Sequence, residues 1–73
     1  MKISFHMTLA VNATAKEAEI DLPNETKIED LITQMNVAIH DVGIILKNGK
    51  WVSHDSYAGN DDKIEVFPEL AGG

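Results

Sequence analysis

The chain has 73 residues, which is enough for one small domain, and it contains no cysteine. Disulfide bonds, thiolate metal sites and a cysteine nucleophile are therefore excluded. The formal net charge is −6 and none of the six basic residues is arginine, so nucleic acid and anionic membranes are poor candidates as partners. We expect a cytoplasmic protein, because no apolar run approaches the ~20 residues that span a bilayer.

The first third of the chain predicts a β-hairpin. Apolar residues alternate with polar ones from Ile3 to Val11, which is the period of a strand with one buried face. The alternation resumes between Ala18 and Leu22, after a short polar stretch. We interpret these two segments as paired strands whose outer face is exposed to water.

A helix is predicted next. The segment 26–29 (Thr-Lys-Ile-Glu) matches a capping box, in which the Thr and Glu side chains bond free amides of the first turn. Apolar residues then recur with helical spacing, and Asn36 is the predicted stop. The stripe consists of Ile28, Leu31, Ile32 and Met35.

The remaining sequence predicts three strands. Residues 42–46 form an apolar run that is typical of a strand buried on both faces. Asn48-Gly49 then predicts a tight hairpin, because a type I′ turn needs positive φ at both central residues. After a polar loop over residues 54–62, the last strand runs from Lys63 to Phe67 and is closed by Pro68.

This order of elements predicts an α+β domain of the β-grasp, or ubiquitin-like, type. A single amphipathic helix covers one face of one mixed sheet of about five strands. We expect residues 1–68 to form this domain and residues 69–73 to form a flexible Gly-Gly tail that leaves from the sheet edge. The residues expected beneath the helix are Phe5, Met7, Ile20, Ile44 and Val66.

Candidate catalytic side chains are scarce in the body of the chain. His6, His40 and His54 have no nucleophile placed beside them, so we interpret them as solvated or structural. No metal site is expected. Trp51 is interpreted as a packing residue, with a contact to a partner protein as the less favoured alternative.

The C-terminus carries the strongest functional signal. The chain ends in Gly72-Gly73 directly after a strand, and two residues without side chains can be threaded through a narrow channel. At ~3.3 Å per residue, five tail residues would reach about 16 Å. We therefore predict that the Gly73 carboxylate is itself the reacting group, the alternative being a frayed end without function.

Three segments resemble the MoaD/ThiS family of sulfur carriers. The ending at 67–73 resembles the Phe-Pro-Pro-Val-Ala-Gly-Gly ending of MoaD, the small subunit of molybdopterin synthase. Residues 48–52 resemble the family's Asn-Gly-x-x-Val hairpin, and residues 62–64 its Asp-x-Val strand start. Glu69, Leu70 and Asp61 depart from the pattern. The resemblance covers Lys2 to Gly73 and is closest to MoaD.

The resemblance implies a carrier, not an enzyme. An ATP-dependent, ubiquitin-activating-type enzyme would adenylate the Gly73 carboxylate, and a persulfide from a cysteine desulfurase or rhodanese would convert it to a thiocarboxylate. ATP and Mg²⁺ belong to that partner, and this chain binds no cofactor. A large synthase subunit is a further candidate partner. We favour molybdopterin or tungstopterin synthesis over thiazole synthesis.

The resemblance also assigns roles to the tail. Leu70, Ala71 and Gly72 would lie in the partner's channel, and Phe67, Pro68 and Glu69 would belong to the docking surface. Phe67 alternates out of phase with Val66 and is therefore expected on the face away from the helix. The alternative function is a ubiquitin-like modifier, joined through Gly73 to lysines of target proteins.

Overall fold

The computed structural model describes residues 1–69, which form a mixed sheet, a main helix and a small second sheet. In chain order the elements are β1 (Lys2–Phe5), α1 (Leu9–Asn12), β2 (Glu17–Glu19), β3 (Thr26–Lys27), α2 (Ile28–Gln34), a 3₁₀ turn (Ile39–Asp41), β4 (Val42–Lys47), β5 (Lys50–Val52), β6 (Tyr57–Ala58) and β7 (Lys63–Pro68). The main sheet has the strand order β2-β1-β7-β4-β5, and β3 pairs with β6. The predicted α+β β-grasp fold, with five strands and one main helix, is confirmed.

The last strand lies in the middle of the main sheet. β7 pairs in parallel with β1 on one side and antiparallel with β4 on the other. The expectation that the C-terminal segment leaves from a sheet edge is therefore wrong. It leaves from the end of the central strand, where β4 and the 3₁₀ turn before it hold Pro68 and Glu69.

The core lies between α2 and one face of the main sheet. All four residues of the predicted helix stripe are buried, and they pack with fully buried side chains of the sheet, including Phe5 and Val66 as predicted. The other sheet residues with no exposed area are Ile3, Ile45 and Ile64. Each such side chain contributes about 1.5–3 kcal/mol by leaving water.

The first strand is shorter than predicted. β1 ends at Phe5, Met7 adopts a left-handed φ of 56°, and one helical turn follows in α1. Met7 is consequently 64% exposed, and its expected place in the core is wrong. Leu9 enters the core from α1 instead. The alternation of apolar and polar residues does not reveal that the strand ends at Phe5 and that the backbone turns at Met7.

The predicted capping box is also absent. Thr26 lies in β3, and its hydroxyl donates to the carbonyl of Asn24 at 3.1 Å. The N–H of Ile28 donates to the carbonyl of Ser56 at 3.0 Å. A tertiary bond to the segment before β6 thus replaces a side-chain cap at the start of α2. The predicted stop holds, since Asn36 takes a left-handed φ of 67°.

The hairpin between β4 and β5 is confirmed. Asn48 and Gly49 have φ values of 53° and 82°, as a type I′ turn requires. The opposite end of β4 contains a bulge, because Val42 pairs with Pro68 while Ile44 pairs with the preceding residue of β7. The bulge leaves Ile44 half-buried instead of beneath the helix, which corrects its predicted core position. Ile20 packs only partly against the core.

Candidate functional site at the base of the tail

Three of the seven predicted site residues lie in the part of the chain that the structure describes. Phe67 is half-buried on the sheet face away from α2, Pro68 is buried, and Glu69 is exposed. The alternation along β7 produces this arrangement, with Val66 inward and Phe67 outward. The other four, Leu70, Ala71, Gly72 and Gly73, lie outside the described residues.

The residues that lead into the tail are fixed to the body. We call Pro68 and Glu69 the tail base. Pro68 pairs with Val42 at the end of β7, and the next amide, that of Glu69, donates to the carbonyl of Asp41 at 3.0 Å. The sheet and the 3₁₀ turn therefore set both the position and the direction in which the chain leaves the domain.

An apolar surface adjoins the tail base. Phe67 pairs with Ile44, and Leu46 pairs with Trp51 across the hairpin. Paired residues share a sheet face, so these four side chains form one patch on the side away from α2, which we call the outer apolar face. Trp51 is 73% exposed. A solvent-facing tryptophan beside half-buried aliphatic residues is a typical protein contact surface.

His6 holds Phe67 in place on this face. The two rings stack with centroids 4.4 Å apart and an angle of 7° between their planes. The Nε2 atom of His6 lies 3.3 Å from Oε1 of Glu65 but makes no hydrogen bond within residues 1–69. Glu65 lies beside the His6 ring, and the His6 ring stacks on Phe67. This packing restricts the orientation of the Phe67 side chain. His6 therefore has a structural role, as one of its two predicted interpretations states, and it plays that role next to Phe67, a predicted docking residue.

The other two motif segments meet at the far end of β7. The Nδ2 group of Asn48 donates to Oδ1 of Asp62 at 2.8 Å, and the N–H of Lys63 donates to Oδ1 of Asn48 at 2.9 Å. The N–H of Gly59 donates to Oδ2 of Asp62 at 2.7 Å. The bonds that Asp62 accepts, from Gly59 first and then from Asn48, lower the pKa of Asp62 below its ordinary value. The hydrogen bonds of this group fix the start of β7, at the opposite end of the strand from the tail base.

Most of the outer apolar face is not predicted from the sequence. The apolar run over residues 42–46 predicts a strand buried on both faces, whereas Ile44 and Leu46 lie on the outer face with Trp51. The run of apolar residues looks alike in both cases. The exposure of Trp51 favours a partner contact, the alternative interpretation of this residue, over a packing role.

Two further properties of the described residues bear on the choice of function. Among residues 1–69, no group of three or more His, Asp or Glu side chains is placed to hold a metal ion. Within the same range, none of the helices has the length and apolar character needed to cross a membrane.

Comparison with known proteins places the chain in a family. The model of the ThiS family matches residues 9–73, which include α1, the main helix, the hairpin and the Gly-Gly ending. The chain belongs to the ThiS family. This ThiS-family protein is similar in structure to a Pyrococcus furiosus protein that is provisionally assigned as molybdopterin converting factor, subunit 1. The TM-score is 0.68 at 25% identity, over 94% of this chain and 95% of that one.

A second solved structure agrees in fold. SAMP1 from Haloferax volcanii matches with a TM-score of 0.66 at 17% identity, over 99% of this chain and 97% of that one. A search of curated proteins finds no significant match. This ThiS-family protein is thus a MoaD/ThiS-type β-grasp domain, of the same size class as these two proteins.

Proposed function

We propose that this protein is a sulfur carrier whose Gly73 carboxylate is activated and converted to a thiocarboxylate. The observation that carries the proposal is the tail base, since Pro68 and Glu69 are anchored at the end of the central strand and lead directly into a Leu-Ala-Gly-Gly sequence. Membership of the ThiS family supports it. In this scheme the protein is a co-substrate with no turnover of its own.

The proposed chemistry proceeds in three steps, all at Gly73. A carboxylate oxygen attacks the α-phosphorus of ATP, bound with Mg²⁺ in the activating enzyme, and pyrophosphate leaves. A persulfide sulfur, supplied by a cysteine desulfurase or a rhodanese, then attacks the acyl carbon and AMP leaves. A thiol finally cleaves the S–S bond of the resulting acyl disulfide, which releases the thiocarboxylate and forms a disulfide between the thiol and the donor cysteine. Glycine suits these steps because it leaves the carbonyl carbon unhindered.

The docking roles follow from the surface beside the tail. Phe67, together with the outer apolar face, would contact the activating enzyme or a large synthase subunit, and Glu69, which is exposed, would lie at the border of this contact. Leu70, Ala71 and Gly72 would occupy the channel to the active site. We favour molybdopterin or tungstopterin synthesis as the destination of the sulfur, which the likeness to the Pyrococcus furiosus protein supports; thiazole synthesis is the alternative.

The test is the intact mass of the untagged protein after incubation with ATP, Mg²⁺, a persulfide source and an extract of its own cells. We expect a gain equal to the replacement of one oxygen by sulfur, confined to the C-terminal peptide. The Gly73→Ala variant, and a variant with one residue added after Gly73, should fold normally and lose most of this product.

Each other outcome has a definite meaning. Isopeptide adducts on lysines of other proteins would favour the ubiquitin-like modifier, which uses the same activated carboxylate. An unchanged mass, in an extract that modifies a known carrier added as control, would overturn the proposal. Full thiocarboxylate formation in the variant with an added residue would refute the assignment of Gly73 as the reacting residue.

A further inference from the structure

The tail base crosses directly over Gly43. A Cβ atom built at position 43 would lie 2.6 Å from the Cα of Glu69 and 2.6 Å from the carbonyl oxygen of Pro68. Real Cβ atoms do not approach other atoms this closely, and both neighbours are backbone atoms that cannot rotate away. Gly43 is the extra residue of the bulge between Val42 and Ile44. It is thus required by the close approach of a second backbone.

His54 supports the same bulge from the other side. Its Nε2 atom lies 3.0 Å from the carbonyl oxygen of Gly43, in a partly buried position eleven residues along the chain. Because a carbonyl oxygen only accepts hydrogen bonds, Nε2 carries the proton and donates. His54 thus gives the carbonyl of Gly43, at the bulge in β4, a hydrogen-bond partner.

We propose that Gly43 and His54 are positioning residues for the tail, an inference that rests on the proposed carrier function. His54 holds the bulge, the bare Gly43 lets the tail base lie against β4, and the amide of Glu69 then reaches the carbonyl of Asp41. Pro68 and Glu69 are thereby held in place in the free protein before it meets the activating enzyme. Neither residue touches the reacting carboxylate.

A side chain at position 43 should displace the tail base while leaving the core intact. In Gly43→Ala we expect the backbone N–H of Glu69 to lose its bond to Asp41 and to exchange with solvent at least ~10-fold faster, because local opening sets the exchange rate. Amides of the buried strand, such as that of Val66, should keep their protection. Hydrogen exchange followed by NMR measures both.

Gly59→Ala is the matched control. Its Cβ would lie 3.6 Å from Oδ2 of Asp62, an ordinary contact distance, and Gly59 does not have the left-handed φ that favours glycine. The same substitution is thus made in the loop before the start of β7, whereas the tail base lies at the end of that strand. We expect Glu69 to retain its protection in this variant.

The functional measurement is the rate of ATP consumption by the purified activating enzyme at increasing concentrations of carrier. We expect Gly43→Ala to raise KM about 10-fold, with kcat nearly unchanged. Fixing one residue's backbone has an entropic cost of this order, and the enzyme must now meet that cost on binding. Both variants are assayed where circular dichroism shows them fully folded, so that loss of folded carrier cannot imitate the effect.

His54 provides a test that does not depend on the folding of Gly43→Ala. Removal of the donor in His54→Leu should speed exchange at Glu69 and raise KM in the same direction. His54→Gln places an amide donor near the position of Nε2 and should restore both values. If His54 only filled space, His54→Gln would not restore the slow exchange of the Glu69 amide.

The outcomes separate this inference from the proposed function. If the wild-type carrier stimulates no ATP consumption, the carrier function fails, and the exchange data alone decide whether the tail base is positioned. If Glu69 keeps its protection in both Gly43→Ala and His54→Leu, the positioning role is overturned. An equal loss in Gly59→Ala, or no recovery in His54→Gln, would also overturn it.

Discussion

Asp62 and Glu69 stand at the two ends of β7, and each is held by hydrogen bonds to a different part of the body. Asp62 binds the turn before the strand through its side chain, whereas Glu69 binds the 3₁₀ turn through its backbone amide. At the level of single residues, the strand is thus fastened at its start by a charged group and at its end by the main chain. The two attachments should respond to pH differently.

Asp62→Asn should destabilise the fold by about 1 kcal/mol at neutral pH, since a hydrogen bond to an ionised group is worth roughly that or more. The bonds from Gly59 and Asn48 lower the pKa of Asp62 below its ordinary 3.8, so the ionised form stabilises the folded state. That contribution is present above the ordinary value and is lost as the pH falls through the lower, folded value. Urea unfolding of both proteins between pH 7 and pH 2 measures it.

The comparison between the two proteins isolates this residue. The pKa of Asp55 is also lowered, first by the Ser53 hydroxyl, and its contribution to acid unfolding is common to both proteins. The stability difference between wild type and Asp62→Asn should therefore shrink at the acid end. A difference that stays constant across the range would contradict the role assigned to the carboxylate.

At the level of elements, the outer apolar face is built by β4, β5 and β7 together. The hairpin places Trp51 across from Leu46, and the register of β7 places Phe67 across from Ile44. The bulge at Gly43 decides which residues of β4 face outward. The outer apolar face and the position of the tail base therefore both depend on one local irregularity of β4.

Trp51→Ala should weaken binding to the activating enzyme or the synthase subunit about 10-fold, because exposed tryptophans in protein contacts often contribute more than 1 kcal/mol. Thermal unfolding should change little, since the side chain is 73% exposed. Titration calorimetry with the purified partner measures the affinity.

The matched control is Tyr57→Ala, which truncates another exposed aromatic side chain in the second sheet. This variant should bind like wild type. Equal losses for both variants would indicate a general effect on the protein, and no loss for Trp51→Ala would exclude the outer apolar face from that complex.

Elements stabilised by local interactions could be predicted from sequence, and those that depend on distant partners could not. The stripe of α2 and the Asn48-Gly49 turn are encoded by spacing and by allowed φ values. The pairing of β3 with β6, by contrast, joins two-residue segments about thirty positions apart. An isolated glycine in an apolar run, such as Gly43, indicates a bulge or a close backbone, but not which backbone approaches.

The candidate site divides in the same way. Its proposed reactive end, Gly73, is inferred from residue types, and the outward direction of Phe67 follows from alternation along one strand. The anchoring of Glu69 by Asp41 and the stacking of His6 on Phe67 depend on which strands become neighbours. The prediction that the tail leaves from a sheet edge is wrong because no local pattern in the sequence places the last strand in the middle of the sheet.

At the level of the whole molecule, we expect residues of the body to determine stability and residues of the tail to determine thiocarboxylate formation. Ile64 is fully buried in the central strand, and Ile64→Ala should lower the free energy of unfolding by about 3 kcal/mol. A domain of this size has a total of roughly 4–11 kcal/mol, so the variant should remain partly or mostly folded. Urea unfolding measures the loss.

Ile64→Ala should reduce thiocarboxylate formation only in proportion to the unfolded fraction. Cooling to a temperature at which circular dichroism shows the variant folded should restore its yield. Gly73→Ala should show no such recovery, because the proposed function places its defect in the reacting residue. Recovery in both variants, or in neither, would contradict the separation of body from tail.

The position of β7 has a consequence for the life of the protein in the cell. A ribosome makes β1 first and β7 last, so the gap between β1 and β4 stays open until synthesis has passed Pro68. Until then both flanking strands expose unpaired backbone groups, which invite aggregation and proteolysis. We expect a shortened chain without β7 to remain unfolded and open to degradation. The domain is therefore complete only when its last strand is in place.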